Sequence, residues 1–282
     1  MEERNTDKYQ KHNLQIGPGW ERKRRVHFDE IVLTYEKRRW EYPAELYEDI
    51  FEYTKTGTGK KAIEIGAGTG KATTPFLDAG FDVTAVEMGA NMSAFIADKF
   101  MERKKFNVIT STFEDVKLEE NTYDLIYAAS SFHWIEPEIG CPKVYRLLKT
   151  GGAVALFRSS NVTTTDDELY DEIQDAYKKH GHKPYVQPED KGDLWSPREI
   201  LRGYGFENLS DYGFTDISMT LYERKLSYTA DEYIELMETM SDHRSLPDDD
   251  REALYKEIRK AINNHGGIIT KNHVFQLYMG KK

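Results

Sequence analysis

Short apolar runs alternate with segments of helical period through the middle of the chain, a pattern that predicts a mostly parallel sheet with right-handed crossovers. Lys61 to Ile65, Phe81 to Val86, Val108 to Ser111, Tyr123 to Ala128 and Ala153 to Phe157 read as strands. Helices are expected near Lys71 to Ala79, Asn91 to Glu102 and Pro142 to Leu148. Upstream, Phe28, Ile31, Val32 and Tyr35 recur at helical spacing and Pro43 stands where a second helix can start, which predicts a two-helix cap. The polar residues before them, with Gly17-Pro-Gly19, predict a loose tail. The rhythm breaks between Ser159 and Tyr212, where Gly181, Pro184, Pro188, Gly192 and Pro197 interrupt a polar, aromatic-rich stretch. That stretch reads as a lid over the sheet's active edge. A strand near Ile217 to Tyr222, helices near Ala230 to Met240 and Asp248 to Asn264, and a last strand from Ile269 to Met279 complete the pattern. The expectation is one α/β domain with a doubly wound, mostly parallel, seven-stranded sheet. Its parts are a tail and helical cap (1–57), a cofactor-binding core (58–158), an inserted lid (159–212) and a C-terminal part that closes the sheet (213–282).

Composition narrows the class further. A chain of 282 residues can bury a large core. The single cysteine, Cys141, excludes an intramolecular disulfide and a cysteine-based metal cluster, and reads as a small residue at a helix start. The formal charge of −10 argues against nucleic acid as a partner, because such binding rests on a basic surface. Two basic runs, Arg22-Lys-Arg-Arg25 and Lys37-Arg-Arg39, read as solvated faces or as contacts to an anionic ligand. No apolar run reaches the ~18 residues of a membrane span and the start lacks a signal-peptide pattern, so no membrane and a cytoplasmic location are expected. His180-Gly-His182 has no third ligand at metal spacing, and no metal is assigned.

Candidate chemistry begins at Ala62-Ile-Glu-Ile-Gly-Ala-Gly-Thr-Gly70, a strand that runs into a glycine turn and then a helix. Gly66, Gly68 and Gly70 let bare backbone approach a ligand, and Glu64 is placed to receive an ammonium group. Lys71 stands where the dinucleotide fingerprint G-x-G-x-x-G wants its last glycine, which disfavours a pyrophosphate. Glu87 ends the second strand, about 20 residues after the turn, at the place of a ribose-binding carboxylate. Phe113, after the third strand, or Met88, after the second, offers an apolar face for adenine, and Glu114 or Asp115 an acceptor for its amine. The fourth strand delivers Ser130, Ser131, His133 and Trp134 to the carboxyl edge.

These segments, Glu64-Ile-Gly-Ala-Gly-Thr-Gly70, Glu87, Thr112-Phe-Glu114, Tyr123-Asp-Leu-Ile126, Ser130-Ser-Phe-His-Trp134 and Leu147-Leu-Lys-Thr-Gly-Gly152, resemble in order those of class I S-adenosylmethionine-dependent methyltransferases. The resemblance covers residues 28–158 and is closest to the small-molecule branch that includes trans-aconitate methyltransferase. The segment Tyr35-Glu-Lys-Arg-Arg-Trp-Glu-Tyr-Pro43 is similar to that group's N-terminal cap, with Trp40 replacing its usual proline. The resemblance implies S-adenosylmethionine as cofactor. Its methionine portion would lie on Gly66, Ala67, Gly68, Thr69 and Gly70, its ribose on Glu87, its adenine between Phe113 and Glu114, and its ammonium group at the backbone of Ala129 and Ser130. Tyr35 and Arg39 would close over cofactor or acceptor.

Methyl transfer from a sulfonium needs alignment and exclusion of water more than covalent machinery. His133 is the side chain at that edge whose ordinary titration range suits a base, with Trp134 as a pocket wall; both also read as packing residues beneath the lid. The expected activity is transfer to a small acceptor in a monomer or homodimer, with O-methylation favoured; an aromatic-lined pocket would favour an apolar or cationic acceptor, and Arg39 or Arg158 inside it a carboxylate. An RNA or protein methyltransferase, a nucleotide-dependent oxidoreductase and a cofactor-sensing binding module are the alternatives.

Overall fold

Valine, isoleucine and alanine fill the central strands because both faces of a parallel sheet are covered by helices. The computed structural model describes residues 22–55, 58–162, 168–180 and 206–282. Five strands run parallel: β1 (Lys61–Ile65), β2 (Asp82–Glu87), β3 (Phe106–Thr110), β4 (Tyr123–Ala129) and β5 (Leu148–Val162). Two more, β6 (Thr215–Thr229) and β7 (Ile268–Lys281), complete a seven-stranded sheet of order β3-β2-β1-β4-β5-β7-β6. β7 is antiparallel to both its neighbours. The chain reverses its direction of travel across the sheet between β1 and β4, and this switch opens a crevice at the carboxyl ends of those strands.

Helices cover the two faces. An N-terminal 3-10 helix (Arg22–Glu30) leads to α1 (Val32–Arg38) and α2 (Ala44–Thr54), the expected cap, with Pro43 as the residue before α2. Then come α3 (Thr73–Asp78), α4 (Ala90–Lys99), α5 (Pro137–Leu147), α6 (Glu168–Lys179), α7 (Ala230–Met237) and α8 (Asp248–Asn264).

Two expectations are corrected. α5 begins at Pro137, a proline in its first turn that needs no N–H partner there, and Pro142 lies inside the helix. Cys141 is accordingly a buried mid-helix residue and not a helix start. β5, β6 and β7 are also longer than their apolar runs, since pairing continues to Val162 with Asn272 and to Thr229 with Ile268. The extra residues of β6 include Glu223, Lys225 and Ser227, whose side of the ladder faces water, so polarity disguises them. Most of the expected lid, with Tyr185, Trp195 and Tyr204, lies outside the described residues, as does the expected N-terminal tail.

One sheet face packs Leu46, Tyr47 and Ile50 of α2 and Phe76 of α3 on Ala62, Leu125, Tyr127, Phe157 and Phe275. The other packs Val144 and Leu147 of α5 on Ile63, Ile65, Ile126, Val154 and Tyr278. A third cluster joins α6, α7 and α8 through Ile173, Tyr233, Leu236, Leu254 and Ile258. Phe76 is the centre of the first, stacked on Tyr127 at 3.8 Å between ring centres. Phe76→Ala is expected to cost about 3–5 kcal/mol of stability, read by urea unfolding, because the ring has no solvent side into which the site can collapse.

The N-terminal segment lies across the sheet edge as a strap. Asp29 Oδ1 accepts from the Met92 backbone N–H at 2.8 Å, which satisfies the start of α4. Glu36 pairs with Lys99 at 2.7 Å and Glu41 with Lys71 at 2.5 Å. On its other side Arg38 reaches Glu232 at 2.9 Å, and Glu235, both on α7.

Candidate active site

The turn after β1 needs glycine for a measurable reason. Gly66, Gly68 and Gly70 all have positive φ, at 65°, 57° and 75°. A Cβ on Gly68 would meet only Tyr35 Cε1, at 3.8 Å, so the surface between Gly68 and Tyr35 is bare backbone facing one ring edge. Ala67 and Thr69 are buried beneath it. The Thr69 carbonyl accepts from Lys99 Nζ at 3.0 Å, which pins the turn to α4.

Glu87, at the end of β2, is 7 % exposed and binds two loops at once. Its Oε2 accepts from Gly68 N–H at 2.7 Å and its Oε1 from Gly89 N–H at 2.8 Å. Burial pushes its acidity range up, and the backbone N–H groups pull it back. Each carboxylate oxygen keeps a further lone pair, which is the capacity a pair of ribose hydroxyls requires. Met88 follows, half-buried.

Glu64 is 1 % exposed. Its Oε2 accepts from Thr73 Oγ1 at 2.6 Å and from Tyr127 OH at 3.0 Å, while Oε1 has no hydrogen-bond partner among the described residues. Burial pushes its pKa up to about 7, against the pull of its two hydroxyl donors. A buried carboxylate with one uncommitted oxygen is the environment that a cation would relieve.

Ser130, which follows β4, adopts the left-handed region at φ 53°, a strained choice for a serine at a sheet edge. Its N–H donates to the Phe157 carbonyl at 2.7 Å, and its Oγ shares a hydrogen bond of 2.7 Å with Tyr42 OH. Ala129, beside it, is half-buried. The 3-10 turn Phe132–Trp134 then carries His133 and Trp134, whose rings are 5.1 Å apart. Trp134 is 8 % exposed and meets Phe28 edge-on at 5.9 Å; Phe28 in turn meets Tyr35 at 5.9 Å. Arg39 lies 5.0 Å from the rings of both Tyr35 and Trp40. Tyr35, Arg39, Ser130, His133 and Trp134 are thus linked through Phe28, Trp40 and Tyr42 across the strap.

One expected residue does not offer what was asked of it. The Phe113 ring is 3 % exposed inside the second core, with Lys143 Nζ 5.1 Å from its centre, so no face is free for a flat ligand. Glu114 Oε1 is paired with Arg25 of the strap at 2.7 Å, while its Oε2 has no hydrogen-bond partner among the described residues. Phe28, Tyr42 and Arg25 were missed as site residues. Phe28 had registered only as one apolar position of a helix, and no local signal pairs Arg25 with a carboxylate so far along the chain.

Among the described residues, no group of three side chains could hold a metal ion, and no helix is long and apolar enough to cross a membrane. The turn, the Glu87 carboxylate and the uncommitted Glu64 oxygen fit a ligand with a hydroxylated sugar and a cationic amino-acid tail.

Comparison with known proteins agrees. A protein-family model described as a methyltransferase domain matches residues 63–156. An uncharacterized methyltransferase of Mycobacterium bovis is 30 % identical over 129 residues, which cover 46 % of this chain and 50 % of that one. A probable S-adenosylmethionine-dependent methyltransferase of Saccharomyces cerevisiae is 28 % identical over 195 residues, 67 % of this chain and 65 % of that one. The chain thus spans about half the length of the mycobacterial relative it matches. Among solved structures, a putative type II methyltransferase from Anaeromyxobacter dehalogenans superposes with a TM-score of 0.57 at 16 % identity, covering 86 % of this chain and 97 % of that one. It shares the fold. The stretch around the glycine turn is thus similar to methyltransferase domains, and the sheet has the fold of a solved methyltransferase.

Proposed function

We propose that this protein transfers the methyl group of S-adenosylmethionine to an oxygen of a small acceptor, with a carboxylate as the favoured nucleophile. The observation that carries this reading is the arginine and aromatic group near Ser130: Arg39 lies against Tyr35 and Trp40, and Tyr42 bonds Ser130 where the fourth strand ends. Such a group suits a compact anionic molecule better than a nucleic acid, and the formal charge of −10 points the same way.

The reaction is an in-line displacement, in which the acceptor oxygen forms its bond to carbon as the carbon–sulfur bond breaks and its electron pair stays on sulfur. The protein's part is alignment. On this reading Glu87 holds the ribose, Glu64 Oε1 receives the ammonium group, and Tyr35 closes over Gly68. Arg39 draws in the acceptor carboxylate, whose charge makes a base unnecessary; His133 then orients it. The adenine assignment falls to Met88 and the polar atoms near Glu114, since the Phe113 ring is engaged elsewhere. Of the 159–212 stretch, α6 packs on α8 within the third cluster.

The test combines binding with turnover. S-adenosylhomocysteine at a hundred times its dissociation constant is expected to add about 2.7 kcal/mol of stability. With radiolabelled S-adenosylmethionine and a panel of carboxylic acids, His133→Ala is expected to lower kcat/KM less than the ~100-fold typical of a lost general base. A larger loss, confined to hydroxylated acceptors, would transfer the base role back to His133 and the nucleophile to a hydroxyl. Absence of any S-adenosylhomocysteine binding would end the proposal.

A further inference from the structure

His273 is a histidine that neither the glycine turn nor the residues after β4 explain. It stands on β7, paired with Asn161 of β5, and because β7 runs antiparallel this end of it reaches the carboxyl edge of the parallel strands. Its neighbours on the same face of the sheet are Phe275 along β7, 6.2 Å away between ring centres, and Ser159 on β5. The imidazole is 1 % exposed. Nδ1 is 3.0 Å from Ser159 Oγ, while Nε2 has no hydrogen-bond partner among the described residues.

The strap covers this histidine. Trp40 packs on it with ring centres 5.1 Å apart, and the guanidinium carbon of Arg39 lies 5.0 Å from the same indole. Arg39 donates from Nη2 to the Thr239 carbonyl at 2.5 Å, while its Nε is also buried without a partner among the described residues. Two buried nitrogens, one on an imidazole and one on a cation, therefore lie on residues that border one indole ring, with no oxygen among the described residues to satisfy them. Groups of that kind cost stability unless a ligand pairs them. Tyr42, which bonds Ser130, packs on Phe275 beside His273, so this polar corner adjoins Ser130.

We propose that His273 Nε2 and the Arg39 guanidinium together hold a carboxylate of the methyl acceptor, with Ser159 fixing the imidazole tautomer and Trp40 forming the wall against which both lie. The proposal rests on the methyltransferase reading and adds a residue outside the cofactor site. Burial, reinforced by Lys271, pushes the His273 pKa down to about 4, so the ring is neutral near pH 7 and carries a single N–H. With Ser159 O–H donating to Nδ1, that N–H belongs to Nε2, where it points a donor at an anionic oxygen. The neighbouring Arg39 cation selects charge over a neutral amide.

The experiment uses the full chain, labelled with ¹⁵N-histidine and saturated with S-adenosylhomocysteine. The probes are succinate, citrate and benzoate, with succinamide and benzamide as neutral counterparts. A His273→Gln spectrum assigns the resonance. The expected result is a neutral imidazole protonated at Nε2 whose signal moves saturably with at least one carboxylate and with neither amide. The dissociation constant of that carboxylate should rise ~10-fold or more in His273→Phe and in Arg39→Gln, and recover in part in His273→Gln, which keeps a donor near Nε2. S-adenosylhomocysteine affinity should stay within about twofold in His273→Phe. If the wild-type chain binds S-adenosylhomocysteine and the His273 signal is indifferent to every carboxylate, or if His273→Phe binds the carboxylate as the wild type does, the proposal is overturned. If S-adenosylhomocysteine fails to bind the wild-type chain, the methyltransferase reading falls instead.

Discussion

Glu87→Ala is expected to weaken S-adenosylhomocysteine binding about 100-fold, measured by isothermal titration calorimetry, in a protein that still unfolds in one transition. The size follows from the carboxylate's position between two loops. Its oxygens hold Gly68 N–H and Gly89 N–H, so removal frees the glycine turn from the start of α4 as well as deleting two acceptors for ribose. Hydrogen bonds to a charged group contribute about 1.5–3 kcal/mol each, and two such losses reach two orders of magnitude in affinity. Glu87→Gln keeps the reach and one carbonyl acceptor, and the expected loss is nearer tenfold. An unchanged affinity in Glu87→Ala would remove the ribose assignment altogether.

The second large effect is a pH dependence centred on Glu64. Its pKa in the folded chain is about 7 against an ordinary 4.5, so the folded state keeps a proton that the unfolded chain has lost. Its contribution to stability is fully present below about pH 4.5 and disappears as pH rises through 7, a difference of about 3 kcal/mol. Glu64→Gln removes the titration. The melting temperature of the ligand-free wild type should therefore fall between pH 5 and pH 8 relative to that of Glu64→Gln. Binding adds a second signature. An ammonium group beside Oε1 favours the ionised carboxylate, so cofactor binding at pH 6 should release a proton, seen as a heat that varies with the ionisation enthalpy of the buffer. Equal proton release by wild type and Glu64→Gln would show that the ammonium group lies elsewhere.

Much of the fold could be read from the sequence because the central strands are buried on both faces and their apolar runs are uninterrupted. The β1 strand, its glycine turn and Glu87 are local in sequence, so spacing alone placed the turn and the carboxylate at one edge. Where the reading stopped, the determining contact lay far along the chain or was written in polar residues. Phe113 looked available because it follows a strand end, yet Lys143 and the second core claim its ring. The outer half of β6 opens on the charged run Glu223-Arg-Lys225, and only its pairing with β7 makes it a strand. Nothing near Trp40 announces that its partner is a histidine more than two hundred residues away on β7. The order of parallel strands was therefore accessible, whereas the wall opposite them was not.

The strap's two-sided fastening has a kinetic meaning. α1 is tied through Glu36 to Lys99 beside the glycine turn and through Arg38 to the acidic residues of α7, so a shift of this one helix is felt at both ends. Partly exposed ion pairs of this sort are worth about 1 kcal/mol or less each and can exchange partners readily. On the proposed reading, a nucleoside arriving under Tyr35 would reset the doorway through which the second reactant passes. Turnover should follow an ordered sequence of arrivals, with the first guest shaping the threshold for the next.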